Sequence, residues 1–210
     1  MQQNLVVLRG LPGSGKTVLA NNLANYFDLN VFDPDQIDKS KSDFLDFINS
    51  LSEELPLRRK MYRYLLSQVN TDLNSGKSVI WSQPWRKIDR LVLTIKNIQH
   101  YLKPIIQYDE MPIYTLKNEL AFNVVVIELN ISTEESRNRV SKRYIEGNHT
   151  WDGSNLELFN SSFEDYNLPF DYINIDANKK PSLIAKEAIK FLCTNTKTLP
   201  HSKNTITISE

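Results

Sequence analysis

The sequence contains few of the residues that stabilise small secreted proteins or build metal sites. Its single cysteine, Cys193, allows no disulfide within the chain, which is typical of a protein from a reducing compartment. Because Cys193 lies in an apolar helical pattern, we expect its thiol to be buried. The 3 histidines are scattered without cysteine or histidine partners, so we expect no zinc site. These absences favour a cytoplasmic protein that folds around an apolar core.

Neither sign of charge predominates, since 25 lysines and arginines balance 25 aspartates and glutamates. A neutral chain has no overall attraction to nucleic acid or to an anionic membrane, which leaves a local basic groove as the only route to such binding. No apolar run reaches the roughly 20 residues that a membrane-spanning helix needs. A strand-like run begins within a few residues of Met1, so we expect no signal peptide and no membrane partner.

Glycine is also scarce, yet 3 of the 6 glycines lie within residues 10–17, which read GLPGSGKT. This stretch matches the pattern G-x-x-x-x-G-K-[ST] at every fixed position. In that pattern the glycines let backbone N–H groups approach a phosphate, the lysine adds a mobile positive charge, and the hydroxyl binds Mg²⁺. The stretch predicts a P-loop for a nucleoside triphosphate. Its expected nucleotide contacts are Gly10, Leu11, Pro12, Gly13, Ser14, Gly15, Lys16 and Thr17, with Thr17 as the metal ligand.

The segments around this loop have the patterns that a P-loop requires. Residues 4–9 read NLVVLR, as a buried parallel strand would, and residues 16–27 carry apolar side chains at helical spacing. Further strand-like runs are Asn30–Asp33, Ser78–Ser82, Asn123–Leu129 and Asp171–Asp176. Further helical patterns are Leu57–Leu73, Lys87–Leu102, Thr133–Tyr144 and Pro181–Leu192. The alternation predicts a three-layer α/β/α fold with five parallel strands.

The chain shows no sign of a second domain. We expect one domain over residues 1–194, with a lid at about residues 136–166. Residues 101–121 carry two prolines and no clean period, which predicts an insertion of short helices or a hairpin. Residues 195–210 are polar and follow the last helical pattern, so we expect a flexible tail.

Two carboxylates follow the second predicted strand, in the stretch FDPDQID. Ligands of open α/β sheets gather at the carboxyl ends of the strands, so Asp33 and Asp35 are expected to face the phosphates. A carboxylate there can accept the proton of a hydroxyl that attacks a phosphate. The alternative is that both residues are turn-formers beside Pro34.

Two arginines lie four positions apart in the helical pattern STEESRNRVSKR. Arg139 and Arg143 therefore share one helix face, where two guanidiniums can hold a triphosphate and offset charge on a transferring phosphoryl group. The alternative is an ordinary solvated face.

Together these features resemble the P-loop kinases of the zeta-toxin and polynucleotide-kinase branch, relatives of the adenylate-kinase-type small-molecule kinases. The resemblance implies ATP and Mg²⁺ as cofactors and a hydroxyl acceptor on a nucleoside, nucleotide, sugar nucleotide or polynucleotide 5′-end. It implies that Lys16 and Thr17 bind the triphosphate and Mg²⁺, and that Asp35 is the general base. It also implies that Arg139 and Arg143 are lid arginines that contact ATP.

Two positions depart from that branch. Asp38 stands where its members usually have an arginine that helps bind the acceptor's phosphate, and Gln83 stands where relatives often carry an aspartate. Both departures affect the acceptor side more than the nucleotide side. Near Gln83, we expect Trp81, Trp85 and Arg86 to form an aromatic and cationic wall, with core packing as the alternative for Trp81.

Two other functions stay open on this evidence. One is a regulatory NTPase, although the chain has no guanine-selecting Asn-Lys-x-Asp run. The other is a degenerate binding protein that kept its P-loop and lost phosphate transfer, which the departures at Asp38 and Gln83 favour.

Overall fold

The computed structural model describes residues 2–102, 112–147 and 163–196, with the single positions 156, 161 and 199. These residues form the predicted parallel sheet with helices on both faces. The strands are β1 (Gln3–Gly10), β2 (Asn30–Phe32), β3 (Val79–Ser82), β4 (Phe122–Asn130) and β5 (Asp171–Asp176). Their order across the five-stranded sheet is β2-β3-β1-β4-β5, and every neighbouring pair is parallel. The central strand β1 therefore ends in the middle of the edge where ligands bind in such sheets.

The helices pack in two layers, one on each face of the sheet. Those in the described residues are α1 (Lys16–Phe27), α2 (Ser42–Asn49), α3 (Leu57–Asn74), α4 (Ile88–Leu102), α5 (Ile113–Leu116), α6 (Thr133–Ile145) and α7 (Pro181–Asn195). Val6 and Leu8 of β1 belong to the core shared with α1 and α7, while Leu5 and Val7 belong to the core shared with α3 and α4. Successive strand residues point to opposite faces, so burial on both sides explains the continuous apolar run of β1.

Local signals in the sequence mark several helix ends correctly. The hydroxyl of Ser132 accepts a hydrogen bond of 3.1 Å from the backbone N–H of Glu135, which caps α6. Gly76, with φ of 88°, follows the end of α3, and Pro181 begins α7. These ends agree with the predicted ones to within a few residues.

Two features differ from the prediction. Helix α2 was not expected, although Phe44, Leu45, Phe47 and Ile48 recur at helical spacing; Phe44 is its one buried residue. The expectation that Cys193 is buried is wrong, since its thiol is exposed. Helix α7 turns Ala188 and Leu192 toward the core, and the next position lies about 100° around the helix from that face.

Parts of the predicted insertion, lid and tail lie outside the described residues. The insertion contains α5 and a 3-10 turn at Lys117–Glu119, but residues 103–111 are not described. Most positions of the predicted lid after residue 147, and most positions after residue 196, are also not described. No helix within the described ranges is long and apolar enough to cross a bilayer.

Candidate active site

The glycine-rich loop joins the carboxyl end of β1 to the N-terminus of α1. Gly10 and Gly13 have φ of 144° and 77°, which side chains with a Cβ rarely adopt. A Cβ at Gly10 would also lie 2.5 Å from the backbone oxygen of Leu129, so the neighbouring strand excludes any larger residue. The first turn of α1 carries no acidic residue that would offset the positive N-terminal end of the helix. This backbone fits a phosphate group.

The ammonium group of Lys16 folds back over the loop. Its Nζ donates to the backbone oxygens of Gly10 at 3.0 Å and Leu11 at 2.9 Å. Removal from water lowers the pKa of Lys16 to about 8, and Asp33 and Asp35 oppose this shift by attraction. Lys16 therefore lies in the electric field of both carboxylates that the sequence placed after the second strand.

The two aspartates occupy one turn with different environments. The carboxylate of half-buried Asp33 accepts a hydrogen bond of 2.9 Å from the backbone N–H of Asp35, which starts the 3-10 turn Pro34–Gln36. Burial raises the pKa of Asp33, while Lys16 and a hydrogen bond from Ser82 lower it. Asp35 itself is exposed. Asp33 is thus a turn-former that also acts on Lys16, and its effect on that lysine exceeds the effect of Asp35.

The arginine face of α6 packs directly on the glycine-rich loop. Arg139 donates from Nη1 to the backbone oxygens of Ala177 at 3.1 Å and Gly13 at 3.4 Å. A Cβ at Gly13 would lie 3.5 Å from Nη2 of Arg143, so this guanidinium is also next to the loop. One turn earlier, the buried hydroxyl of Ser136 donates to the backbone oxygen of Pro12. Arg139 therefore packs against the loop and also pairs with Glu135 at 2.7 Å, while Arg143 lies next to the loop but is exposed to solvent.

A buried arginine that the sequence reasoning did not single out lies beneath the loop. Arg9 is fully buried at the end of β1. Its Nη1 lies 3.1 Å from the carboxylate of Glu128 on β4, and its guanidinium lies 4.5 Å from the ring centre of Phe163. Burial lowers the pKa of Arg9 and raises that of Glu128, while their mutual attraction opposes both shifts. An arginine directly after an apolar strand and before Gly10 was the available signal.

The same arginine holds the C-terminal end of the predicted lid. Arg9 donates from Nη2 to the backbone oxygen of Glu164 at 2.6 Å. The carboxylate of Glu164 accepts from Nζ of Lys87 at 2.7 Å and from the backbone N–H of Ile88 at 2.8 Å. Residue 164 is therefore tied both to the strand that carries the loop and to the start of α4.

Gln83, where relatives often carry an aspartate, is engaged with a neighbouring helix. Its side-chain oxygen accepts a hydrogen bond of 2.9 Å from the hydroxyl of Tyr62 on α3. Trp81 and Trp85 are both buried and pack edge to face, with ring centres 5.6 Å apart. Both belong to the core shared with α3 and α4, so Trp81 follows the alternative of core packing and the expected wall is wrong for Trp85.

The metal site predicted from the loop rests on one protein ligand. Thr17 is exposed at the second residue of α1. In the part of the chain that the structure describes, no group of three or more histidine, cysteine, aspartate or glutamate side chains is placed to hold a metal ion. Mg²⁺ takes one or two protein ligands together with phosphate oxygens and water, so the hydroxyl of Thr17 would be the protein's share of such a site.

Solved kinases have a similar fold. An inferred kinase from Chloroflexus aurantiacus j-10-fl is 21% identical with a TM-score of 0.62, over 93% of this chain and 100% of that one. A sugar kinase from Janibacter sp. HTCC2649 is 20% identical with a TM-score of 0.57, over 92% and 95%. A gluconokinase from Sinorhizobium meliloti 1021 is 17% identical with a TM-score of 0.54, over 91% and 92%. At these identities the likeness establishes a common fold.

The family of the chain follows from a match over most of its length. No curated protein matches the chain at a significant level. A family model described as an AAA domain matches residues 5–166, which include the glycine-rich loop, β1 to β4 and α6. The chain therefore belongs to the AAA_33 family and has the α/β fold of the P-loop kinases.

Proposed function

We propose that this chain is an ATP- and Mg²⁺-dependent kinase that transfers the γ-phosphate to a hydroxyl group. One observation carries the proposal: charged side chains from separate elements meet at the glycine-rich loop. Lys16 interacts electrostatically with Asp33, Asp35 and Arg143, and Arg139 donates to the loop backbone. Cations for the phosphates and carboxylates for an acceptor are the groups that phosphate transfer requires.

The nucleotide would occupy the loop. The ammonium group of Lys16 already lies over the loop. On nucleotide binding it would donate to phosphate oxygens in place of the backbone oxygens of Gly10 and Leu11. Residues 10–17 would bind the phosphates through backbone N–H groups. Thr17 would hold Mg²⁺, which supplies positive charge between the phosphates.

In the transfer step, the acceptor oxygen forms a bond to the γ-phosphorus as the bond to the departing ADP breaks. Asp35 accepts the proton of the acceptor hydroxyl, and Asp33 holds Asp35 in place through its backbone N–H. Arg139 and Arg143 offset the charge on the phosphoryl group. Residues 136–166 act as the lid, and residues 1–194 as a single catalytic domain.

The proposed acceptor is a hydroxyl of a nucleoside, a nucleotide, a sugar nucleotide or a polynucleotide 5′-end, and the proposed branch is that of the zeta toxins. A second candidate is a degenerate kinase or a regulatory NTPase. The environment of Gln83 favours that candidate, because an amide bonded to Tyr62 replaces a carboxylate that could orient the water ligands of Mg²⁺.

The test is the release of ADP with and without acceptors. Wild-type protein and Lys16→Ala are compared with Asp46→Asn, which removes an exposed charge from α2 outside the site. A kinase releases ADP faster with one class of acceptor, and Lys16→Ala abolishes the increase. A rate that no acceptor changes supports the regulatory NTPase, and ATP binding without turnover supports the degenerate protein.

A further inference from the structure

A cavity of about 240 Å³ opens beside the carboxyl end of β2. It lies between the turn at Pro34–Gln36 and α3, and Asp33 forms part of its wall. Asp33 follows β2, which pairs with β3, and β3 pairs with β1, so the cavity and the glycine-rich loop lie at the same edge of the sheet. The attraction between Asp33 and Lys16, which raises the pKa of the lysine, agrees with this placement. A molecule in this cavity would therefore be next to the end of a triphosphate that Lys16 holds.

The size of the cavity limits its occupant. Pockets for drug-sized ligands measure about 300–1,000 Å³, so this one is smaller. Since a water molecule takes up about 30 Å³, the space equals that of about eight waters. A single sugar or polyol suits this volume.

The charges around the cavity disfavour a phosphate. The described residues that line it include two carboxylates, Asp33 and Asp38, one cation, Lys41, and no arginine. Asp33 also interacts with Lys16 of the loop. Asp38 accepts hydrogen bonds from the backbone N–H of Ser40 at 3.0 Å and from its hydroxyl at 2.6 Å. These bonds lower the pKa of Asp38. A phosphate ester carries about −1.5 to −2 charges at pH 7 and would be repelled.

The chemistry of the walls matches a polyhydroxylated compound. Gln36 and Gln68 offer amides that both donate and accept hydrogen bonds, as sugar hydroxyls do. Phe32 and Tyr64 line the cavity as well and offer apolar ring surface to C–H groups. The hydroxyl of Tyr64 is engaged with Asp43 at 2.7 Å, and its ring also packs against Phe44 and Phe47 of α2.

We propose that this cavity binds the phosphate acceptor, and that the acceptor is a free sugar or polyol without a phosphate group. The inference rests on the proposed kinase function and narrows its acceptor, excluding nucleotides, sugar nucleotides and polynucleotide ends. A hydroxyl of the sugar forms the new bond to the γ-phosphorus, and its proton passes to the carboxylate of Asp35. The products are a sugar phosphate and ADP.

The experiment is the transfer of γ-labelled phosphate from ATP with Mg²⁺ to matched pairs of acceptors. The neutral members are glucose, ribose and myo-inositol, and their partners are glucose 6-phosphate, ribose 5-phosphate and inositol 1-phosphate. Adenosine, AMP, a UDP-sugar and a 5′-hydroxyl oligonucleotide complete the panel. Label on a neutral sugar or polyol, in at least about tenfold excess over its phosphorylated partner, is expected.

Label only on a nucleoside, an oligonucleotide or a phosphate-bearing acceptor overturns the inference and leaves the kinase function standing. No label on any acceptor contradicts the kinase function itself, and the inference falls with it. The two failures are therefore distinguishable.

Variants of the cavity wall test where the acceptor binds. Gln68→Leu removes an amide and should raise the KM for the sugar about two- to tenfold, while the KM for ATP stays unchanged. Asp38→Arg should reduce the preference for neutral over phosphorylated acceptors at least about tenfold. Asp46→Asn on α2, outside the cavity, is the matched control and should change neither value. An unaltered sugar KM in Gln68→Leu together with an unaltered preference in Asp38→Arg would place the acceptor elsewhere.

Discussion

The guanidinium of Arg9 donates a hydrogen bond of 2.6 Å to the backbone oxygen of Glu164, 155 positions further along the chain. Arg9 directly precedes the first glycine of the loop, and Glu164 lies at the end of the predicted lid. The contact is buried on the arginine side, because Arg9 is fully enclosed and also pairs with Glu128. One side chain thus connects the strand under the glycine-rich loop to the end of the proposed lid.

Arg9→Met should destabilise the fold, because it leaves the carboxylate of Glu128 without its partner. Breaking a buried pair in this way costs about 3–5 kcal/mol. The measurement is urea denaturation, read as the free energy of unfolding. In the double variant Arg9→Met with Glu128→Leu, most of that loss should be recovered, because no charge is then left unpaired.

The matched control for the contacts of Arg9 with Glu128 and Glu164 is Lys87→Ala. It removes the exposed partner of the same Glu164, and the exposed pair should contribute little to stability. If Arg9→Met lowered the free energy of unfolding no more than Lys87→Ala, the buried contacts of Arg9 would not stabilise the fold.

Asp35→Asn should lower kcat by about 10²–10⁴-fold with little change in the KM for ATP, because it removes the proposed base. Asp33→Asn should instead lower the pKa of Lys16, because the Asp33 carboxylate raises that pKa by attraction. Steady-state kinetics with ATP and the best acceptor separates the two effects. If Asp33→Asn has the larger loss in kcat and Asp35→Asn has none, the roles of the two carboxylates must be exchanged.

The value of kcat/KM for ATP should fall as the pH rises through about 8. Burial lowers the pKa of Lys16 from 10.5 to about 8, and the protonated amine is the form that binds phosphates. Between pH 7 and pH 9 the protonated fraction falls about tenfold for a pKa near 8, so kcat/KM should fall by a similar factor. In Asp33→Asn the decline should begin at lower pH. A flat profile to pH 9 in the wild type would contradict the assignment of Lys16.

Arg139→Ala should lower kcat/KM for ATP by about 10–100-fold, the effect of losing charged hydrogen bonds worth about 1.5–3 kcal/mol. Lys142→Ala removes a charge from the same helix at a side chain that is 76% exposed, and it should leave the value unchanged. Kinetics with varied ATP compares the two. Equal values for both variants and the wild type would reduce Arg139 to a structural residue that fixes α6 on the loop.

The sequence predicted the elements whose signals come from neighbouring residues. It did not predict side-chain contacts between residues that are distant in the chain. The glycine-rich loop and β1 were predictable because Leu5 to Leu8 are apolar on both faces of the strand. Helix α2 was overlooked, although Phe44, Leu45, Phe47 and Ile48 carry a local apolar pattern at helical spacing. The role of Arg9 was hidden because its partners, Glu128 and Glu164, become neighbours only when the sheet forms.

The central claim is that this chain uses the glycine-rich loop to transfer phosphate, and a single-turnover experiment tests it most directly. Enzyme in excess over γ-labelled ATP is mixed with Mg²⁺ and the best acceptor, and the label on the acceptor is followed with time. The wild type should transfer the label, and Lys16→Ala, with an unchanged urea midpoint, should be slower by about 10²–10³-fold or more. Transfer by Lys16→Ala at the wild-type rate would contradict the claim.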